Sequence, residues 1–148
     1  MTTVAYRDGV LASDGRLSIG KEWVENDTAR KLYPLADGSV VGIAGNSYQW
    51  TELVKRLKKL AKSEEKKLPN SKDFSRCEAL LVCPNKDIYY LGMGSGWSKL
   101  KNRPTAIGSG WQFAMCAMDA GADAATACRI AIKRDMYSGG KVKTIKVF

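Results

Sequence analysis

The sequence predicts an α+β fold in which two stacked, mainly antiparallel sheets carry helices on their outer faces. Three observations predict it. Short runs of strand-forming residues come in pairs around tight polar turns, which joins neighbours antiparallel. From Tyr48 the apolar spacing changes to the helical period, with Trp50, Leu53, Val54, Leu57, Leu60 and Ala61 on one side. Near the end, two further helical segments flank Gly121, and the second is rich in alanine, which lets a helix lie close against a sheet. Sheet and helix faces each need an apolar partner, and two sheets between helix layers supply both.

In chain order, the first hairpin pairs 3–6 with 10–13 around Arg7-Asp8-Gly9, and the second pairs 31–35 with 39–44 around Ala36-Asp37-Gly38. Between them 15–30 is polar and irregular, a loop with an ill-defined strand. The helix is expected over 48–67, with Ser47 as N-cap and Pro69-Asn70 as its stop. A third hairpin joins 79–83 to 88–92 across Pro84-Asn85-Lys86-Asp87, and 105–108 is a short strand leading into Gly108-Ser109-Gly110. The segment GMGSGWSKLKNRP, 92–104, fits no pattern. Helices over 112–120 and 123–136 break at Gly121, and 142–147 closes the chain as a strand. No linker or low-complexity stretch intervenes, so 1–148 is expected to form one domain.

A chain of 148 residues can bury a full core. No secretory or transmembrane segment is expected, because the apolar runs are short and no basic head precedes one. Cys77, Cys83, Cys116 and Cys128 form no CxxC pair and read as reduced thiols of a cytoplasmic protein. The count of histidines is zero. That excludes Ser-His-Asp and Cys-His activation and HExxH zinc sites, and no other metal or cofactor motif is present. The net charge of +9 is concentrated in KRLKKLAKSEEKK, 55–67. Opposite the apolar side, these charges read first as a solvated helix face and second as a surface for an acidic partner. Nucleic acid is disfavoured, since no aromatic residues interleave with the basic ones.

The chain opens MTTVAYRDGVLASDG, with a strand starting at once. Removal of Met1 is expected, because threonine is small, and Thr2 would then carry both a hydroxyl and a free amine. Without histidine, a covalent nucleophile needs an amine or a carboxylate as its base, and this pairing is one of the few solutions left. An α-amine titrates at about 7.7–8.0, close to working pH. Two GSGW segments occur, at 94–97 and 108–111. The first has the glycine density of a phosphate loop but neither the GK[ST] ending nor a βαβ unit, and reads as a hairpin loop. The second, between strand and helix, is either a plain turn or a place where backbone amides and the Ser109 hydroxyl face outward.

Arg134-Asp135-Met136-Tyr137-Ser138-Gly139-Gly140 resembles the RD-x-x-SGG signature of proteasome β subunits. TTVAYRDGVLASD is similar to the threonine-led first hairpin of those subunits and of the bacterial HslV peptidase. Lys31-Leu32-Tyr33 matches the K-L-[FY] segment, Gly42-Ile43-Ala44-Gly45-Asn46 the turn before the first helix, and Ala106-Ile107-Gly108-Ser109-Gly110 the AIGSG turn. These blocks keep the family order from Thr2 to Val147. The chain thus resembles proteasome β-subunit and HslV-like N-terminal-nucleophile threonine peptidases. Its compact length is similar to HslV and small phage-encoded members, while Asn46 stands where many relatives have a second glycine.

The resemblance implies a four-layer αββα sandwich and cleavage of peptide bonds through an acyl-enzyme ester on Thr2. It implies that Asp14 orients Lys31, that Lys31 stabilises the deprotonating hydroxyl, and that Ser109, Asp135 and Ser138 surround the amine. The backbone N–H of Gly45 would be the oxyanion donor. Arg30 is the neighbouring candidate for the lysine's place, and Lys31 is preferred for its K-L-aromatic context. Taken singly, Asp14-Gly15 reads as a turn, Lys31 as a surface charge and Ser138 as a helix terminus. The implied partners are a protein or peptide substrate, a homo-oligomeric ring of at least six subunits with stacked rings in relatives, and an ATP-dependent unfoldase. No cofactor, metal or membrane is implied. Two rival readings keep the fold: a catalytically silent ring or scaffold subunit, and an amidase acting on a small amide.

Overall fold

The computed structural model describes residues 2–19 and 23–148. Met1, with its expected removal, lies outside them. The first hairpin joins β1 (Val4–Arg7) to β2 (Val10–Ser13) through Asp8-Gly9, both in the left-handed region at φ 48° and 80°, the twist a two-residue hairpin turn demands. Pairs then follow of β3 (Leu17–Ile19) with β4 (Trp23–Asn26) and of β5 (Leu32–Pro34) with β6 (Val40–Gly45). After α1 (Ser47–Ala61) and a 3-10 turn at Ser71–Phe74 come β7 (Cys77–Val82), β8 (Ile88–Gly92), β9 (Gly96–Leu100) and β10 (Thr105–Ile107). Then α2 (Trp111–Asp119), α3 (Ala124–Arg134) and β11 (Lys143–Lys146) complete the chain.

One sheet has the order β10-β1-β2-β11 and the other β5-β6-β7-β8-β9, with every pairing antiparallel. Strand alternation divides the core into three layers. Val4, Tyr6 and Leu11 face Leu32, Val40, Leu80, Val82 and Ile88 between the sheets. Ala5 and Ala12, on the opposite face of β1 and β2, pack under Ala114, Ala117, Ala127 and Ala131 of α2 and α3. Trp50, Leu53, Val54 and Leu57 of α1 cover Val41, Ile43, Ala79 and Leu81 of the second sheet. This is the expected αββα stack, and it is drawn tight where a Cβ on Gly42 would lie 2.6 Å from Val4 Cγ1.

Several boundaries differ from expectation. The helix expected over 48–67 ends at Ala61, because the apolar stripe stops there and the exposed 62–67 has no face to bury. Its N-cap is Asn46 rather than Ser47; the Asn46 side chain accepts from the N–H groups of Tyr48 and Gln49. The stretch expected as loop holds the β3–β4 pair. The unplaced 92–104 supplies β9, an exposed edge strand reached through Gly94 and Gly96 at φ 70° and 83°. Helix α3 stops at Arg134, which releases Asp135 from the helix. Among the described residues no helix is long and apolar enough to cross a membrane.

Candidate active site

Four segments meet at the start of β1. Pairing of Val4 with Ile107 lays Thr2 along Gly108-Ser109-Gly110, and pairing of Val4 with Ser13 lays Thr3 beside Asp14. Helix α3, antiparallel beneath β1, returns the chain so that 135–140 passes the same point. Gly108 sits at φ 89° with its α-carbon against the Thr2 carbonyl, so no side chain fits there.

The first cluster is an ion pair withdrawn from water. Lys31 Nζ donates to Asp14 Oδ1 at 2.7 Å, and both side chains are 0% exposed. Asp14 Oδ1 also accepts from the Thr3 N–H at 3.0 Å, while Oδ2 accepts from the Arg16 and Gly139 N–H groups at 3.2 and 3.0 Å. These donors hold the carboxylate in one pose and offset its burial. Lys31 also donates to the Arg16 carbonyl. Burial pushes the Lys31 pKa below the ordinary lysine value, against the opposing pull of Asp14. Arg30 is placed elsewhere: its Nε donates to the Leu32 carbonyl and its guanidinium lies over the Tyr33 ring.

The second cluster centres on Asp135, whose Oδ2 accepts from the hydroxyls of Ser109 and Ser138, each at 2.6 Å. Ser109 Oγ accepts from the Thr2 N–H at 3.3 Å, and Ser138 Oγ lies 2.7 Å from Thr3 Oγ1. Asp135 thereby links Ser109, at Thr2, to Ser138, whose direct partner is Thr3. The Arg16 guanidinium, paired with Asp27 at 2.8 Å, lies flat on Gly139, where any side chain would displace it. Beneath the site, burial pushes the Cys128 thiol up to about 12, so it is neutral near pH 7.

Gly45 is the one candidate outside these hydrogen-bonded clusters among the described residues. Ile43 donates its N–H to the Lys31 carbonyl at 3.1 Å, and Asn46 donates to the Arg76 carbonyl on the β7 side at 2.9 Å. Alternation therefore turns the Gly45 N–H to the same edge as that of Ile43, beyond the point where Lys31 ends the pairing. Among the described residues no group of three or more His, Cys, Asp or Glu could hold a metal ion.

Sequence reasoning misses Thr3 and Gly139 at the site, and it suggests Arg16, with Ser47 and Ile19, only as a residue shaping the specificity pocket and not as a partner of Asp14 and Lys31. Thr3 carried a usable signal, since it shares a strand face with Ala5, the face turned to α2 and α3. Arg16 and Gly139 act through a backbone carbonyl and a backbone N–H, which no residue type announces.

The fold matches solved structures of known class. HslV from Trypanosoma brucei superposes with a TM-score of 0.72 at 19% identity, covering 97% of each chain. Thiobacillus denitrificans BPH superposes with a TM-score of 0.68 at 20% identity over 97% of this chain and 95% of its own. The same BPH in complex with epoxomicin gives 0.66 at 21% identity over 97% and 96%. The fold is therefore that of the HslV and proteasome hydrolases. Residues 2–82 match the family described as proteasome subunit, and the chain belongs to that family. A curated relative, the ATP-dependent protease subunit HslV of Pediococcus pentosaceus, is 28% identical over 126 residues, covering 76% of this chain and 68% of its own.

Proposed function

We propose that this chain is a threonine peptidase that hydrolyses peptide bonds through Thr2 and works inside a homo-oligomeric ring. The observation that carries the reading is the position of the Thr2 nitrogen. It lies 3.3 Å from Ser109 Oγ, at the end of a hydrogen-bond chain to Asp135, one residue before Thr3, whose N–H bonds to Asp14 of the buried Lys31–Asp14 pair. With Met1 removed, that nitrogen is an amine.

In the first step the amine takes the hydroxyl proton and becomes an ammonium, while Thr2 Oγ1 forms a bond to the substrate carbonyl carbon. The carbonyl electron pair moves to oxygen, where the Gly45 N–H receives the charge. Lys31, held in place by Asp14, stabilises the negative charge that develops on Thr2 Oγ1. The ammonium then gives its proton to the leaving nitrogen as the C–N bond breaks, leaving an ester on Thr2. Water, deprotonated by the same amine, attacks the ester and restores Thr2. Membership of the proteasome family and the absence of histidine support this use of an amine as base.

The relative's name makes an ATP-dependent partner the natural source of unfolded substrate. Incubation with epoxomicin tests the site directly. The expected result is one adduct per subunit, mapped to Thr2 in a chain that has lost Met1. An intact Met1 with no adduct contradicts the reading and favours a silent ring subunit.

A further inference from the structure

The hydroxyls around Asp135 have a determinable direction. Each carries one proton, and an ionised carboxylate can only accept. Ser138 Oγ and Ser109 Oγ each lie 2.6 Å from Asp135 Oδ2, so both protons point at that oxygen. The alternative acceptor for Ser109, the Thr2 carbonyl, is 3.4 Å away and far the weaker. Ser138 then has no proton left for Thr3, and the 2.7 Å contact between them is a bond in which Thr3 donates. Likewise Ser109 offers only a lone pair to the Thr2 nitrogen. The whole chain runs one way: Thr3 to Ser138 to Asp135, and Thr2 nitrogen to Ser109 to Asp135.

We propose that Thr3 is a positioning residue whose hydroxyl, donating to Ser138 at the far end of this chain, holds Ser138 on Asp135 and tempers the pull of that carboxylate on a proton at the Thr2 amine, leaving the amine available as a base. The inference rests on the reading of Thr2 as an N-terminal nucleophile. Thr3 cannot itself meet a substrate, being 0% exposed with its N–H bound to Asp14. Its hydroxyl occupies a notch that exists because residue 110 is glycine; a Cβ there would collide with Thr3 Oγ1. Donation from Thr3 draws electron density through Ser138 and spreads the charge of Asp135. Without it, Asp135 concentrates its charge, favours the ammonium form of Thr2 and raises the amine's pKa. The other ionisable or charged groups around the site are Asp14 on the end of β2, Lys31 before β5, Cys128 and Arg129 on α3, and the Arg16–Asp27 pair. None of them bonds to Thr3's hydroxyl, so the substitutions below leave them in place.

The test uses the full chain carrying a cleavable leader that leaves Thr2 first, with the amine pKa read from the pH dependence of its acylation rate. Thr3→Val removes the donor at constant shape and is expected to raise that pKa by about half a unit, with Thr3→Ser restoring it. Gly110→Ala, which keeps the hydroxyl but displaces it, is expected to shift the pKa in the same direction and decides the matter if Thr3→Val does not fold. In peptide hydrolysis the acid limb moves up by the same half unit, about a threefold loss of kcat at pH 7 with KM unchanged. An unchanged amine pKa in Thr3→Val and Gly110→Ala, or a shift in Thr3→Ser as large as in Thr3→Val, overturns the proposal. Because the titration needs no turnover, an inactive wild-type chain would defeat the peptidase reading while leaving this inference to stand or fall by itself.

Discussion

Lys31 sits in a demanding environment, an ammonium with no exposure held by a carboxylate with none. Replacing it by alanine strands Asp14 in the interior. Lys31→Ala is expected to lower stability by about 3–5 kcal/mol in urea unfolding. It is also expected to lower peptide hydrolysis at least ~100-fold, the scale of one lost preorganised charge. Lys31→Arg should be as inactive, since the longer planar guanidinium does not fit the ammonium's place. Arg30→Ala, which removes a bond to the Leu32 carbonyl and a contact with the Tyr33 ring, should keep most of the activity; a crippled Arg30→Ala beside a mild Lys31→Ala would contradict this assignment. Thiol chemistry gives a second check at this scale. Cys77 and Cys128, buried with pKa values of about 11 and 12, should resist alkylation at pH 8 until the protein unfolds, whereas the exposed Cys116 should react at once. Asp14, Lys31, Asp135 and Ser138 were visible in the sequence because their neighbours made recognisable blocks. Thr3 was hidden by its place beside Thr2, and only the direction of β1 separates their roles.

At the scale of elements, the hairpins were legible where glycine and aspartate set the turn and strand-forming residues flanked it, as at Asp8-Gly9. β9 was not, because its exposed positions Ser98 and Lys99 give no alternating apolar signal on the edge of a sheet. The β3–β4 pair escaped for a related reason: among the described residues it pairs only with itself and draws on neither main sheet for its pattern. Charge misled the reading of α1. Lys62, Lys66 and Lys67 prolong the basic run, but a helix continues only while it has a face to bury, and that face ends at Ala61. The other end depends on the Asn46 side chain, which closes two N–H groups of the first turn. Asn46→Ala is expected to cost about 1 kcal/mol, read as a lower thermal midpoint. An unchanged midpoint would mean that packing of Trp50 and Leu53 alone sets where α1 begins.

For the whole molecule, the expectation is a particle of at least six subunits by mass photometry at micromolar concentration. The basic residues of α1 belong to its exposed side, with Lys55, Lys58 and Lys59 open to solvent above the layer that covers the second sheet. Docking of an acidic partner there should weaken as salt rises, since the Debye length is about 10 Å at 0.1 M. A stable, active monomer would overturn the ring and favour an amidase for small amides. The order of the layers and the family were legible from the sequence, because the blocks that carry them are local. The number of subunits is not, because it depends on surfaces whose side chains are chosen for one another across copies.

Everything proposed for the site turns on Thr2, freed of Met1, as the nucleophile. The most direct measurement is peptide hydrolysis by wild type and Thr2→Ala, with the intact mass of each recorded alongside. The expected outcome is a wild-type mass lacking Met1, steady turnover, and a Thr2→Ala protein that folds and assembles but does not cleave. Equal turnover by the two proteins would contradict it.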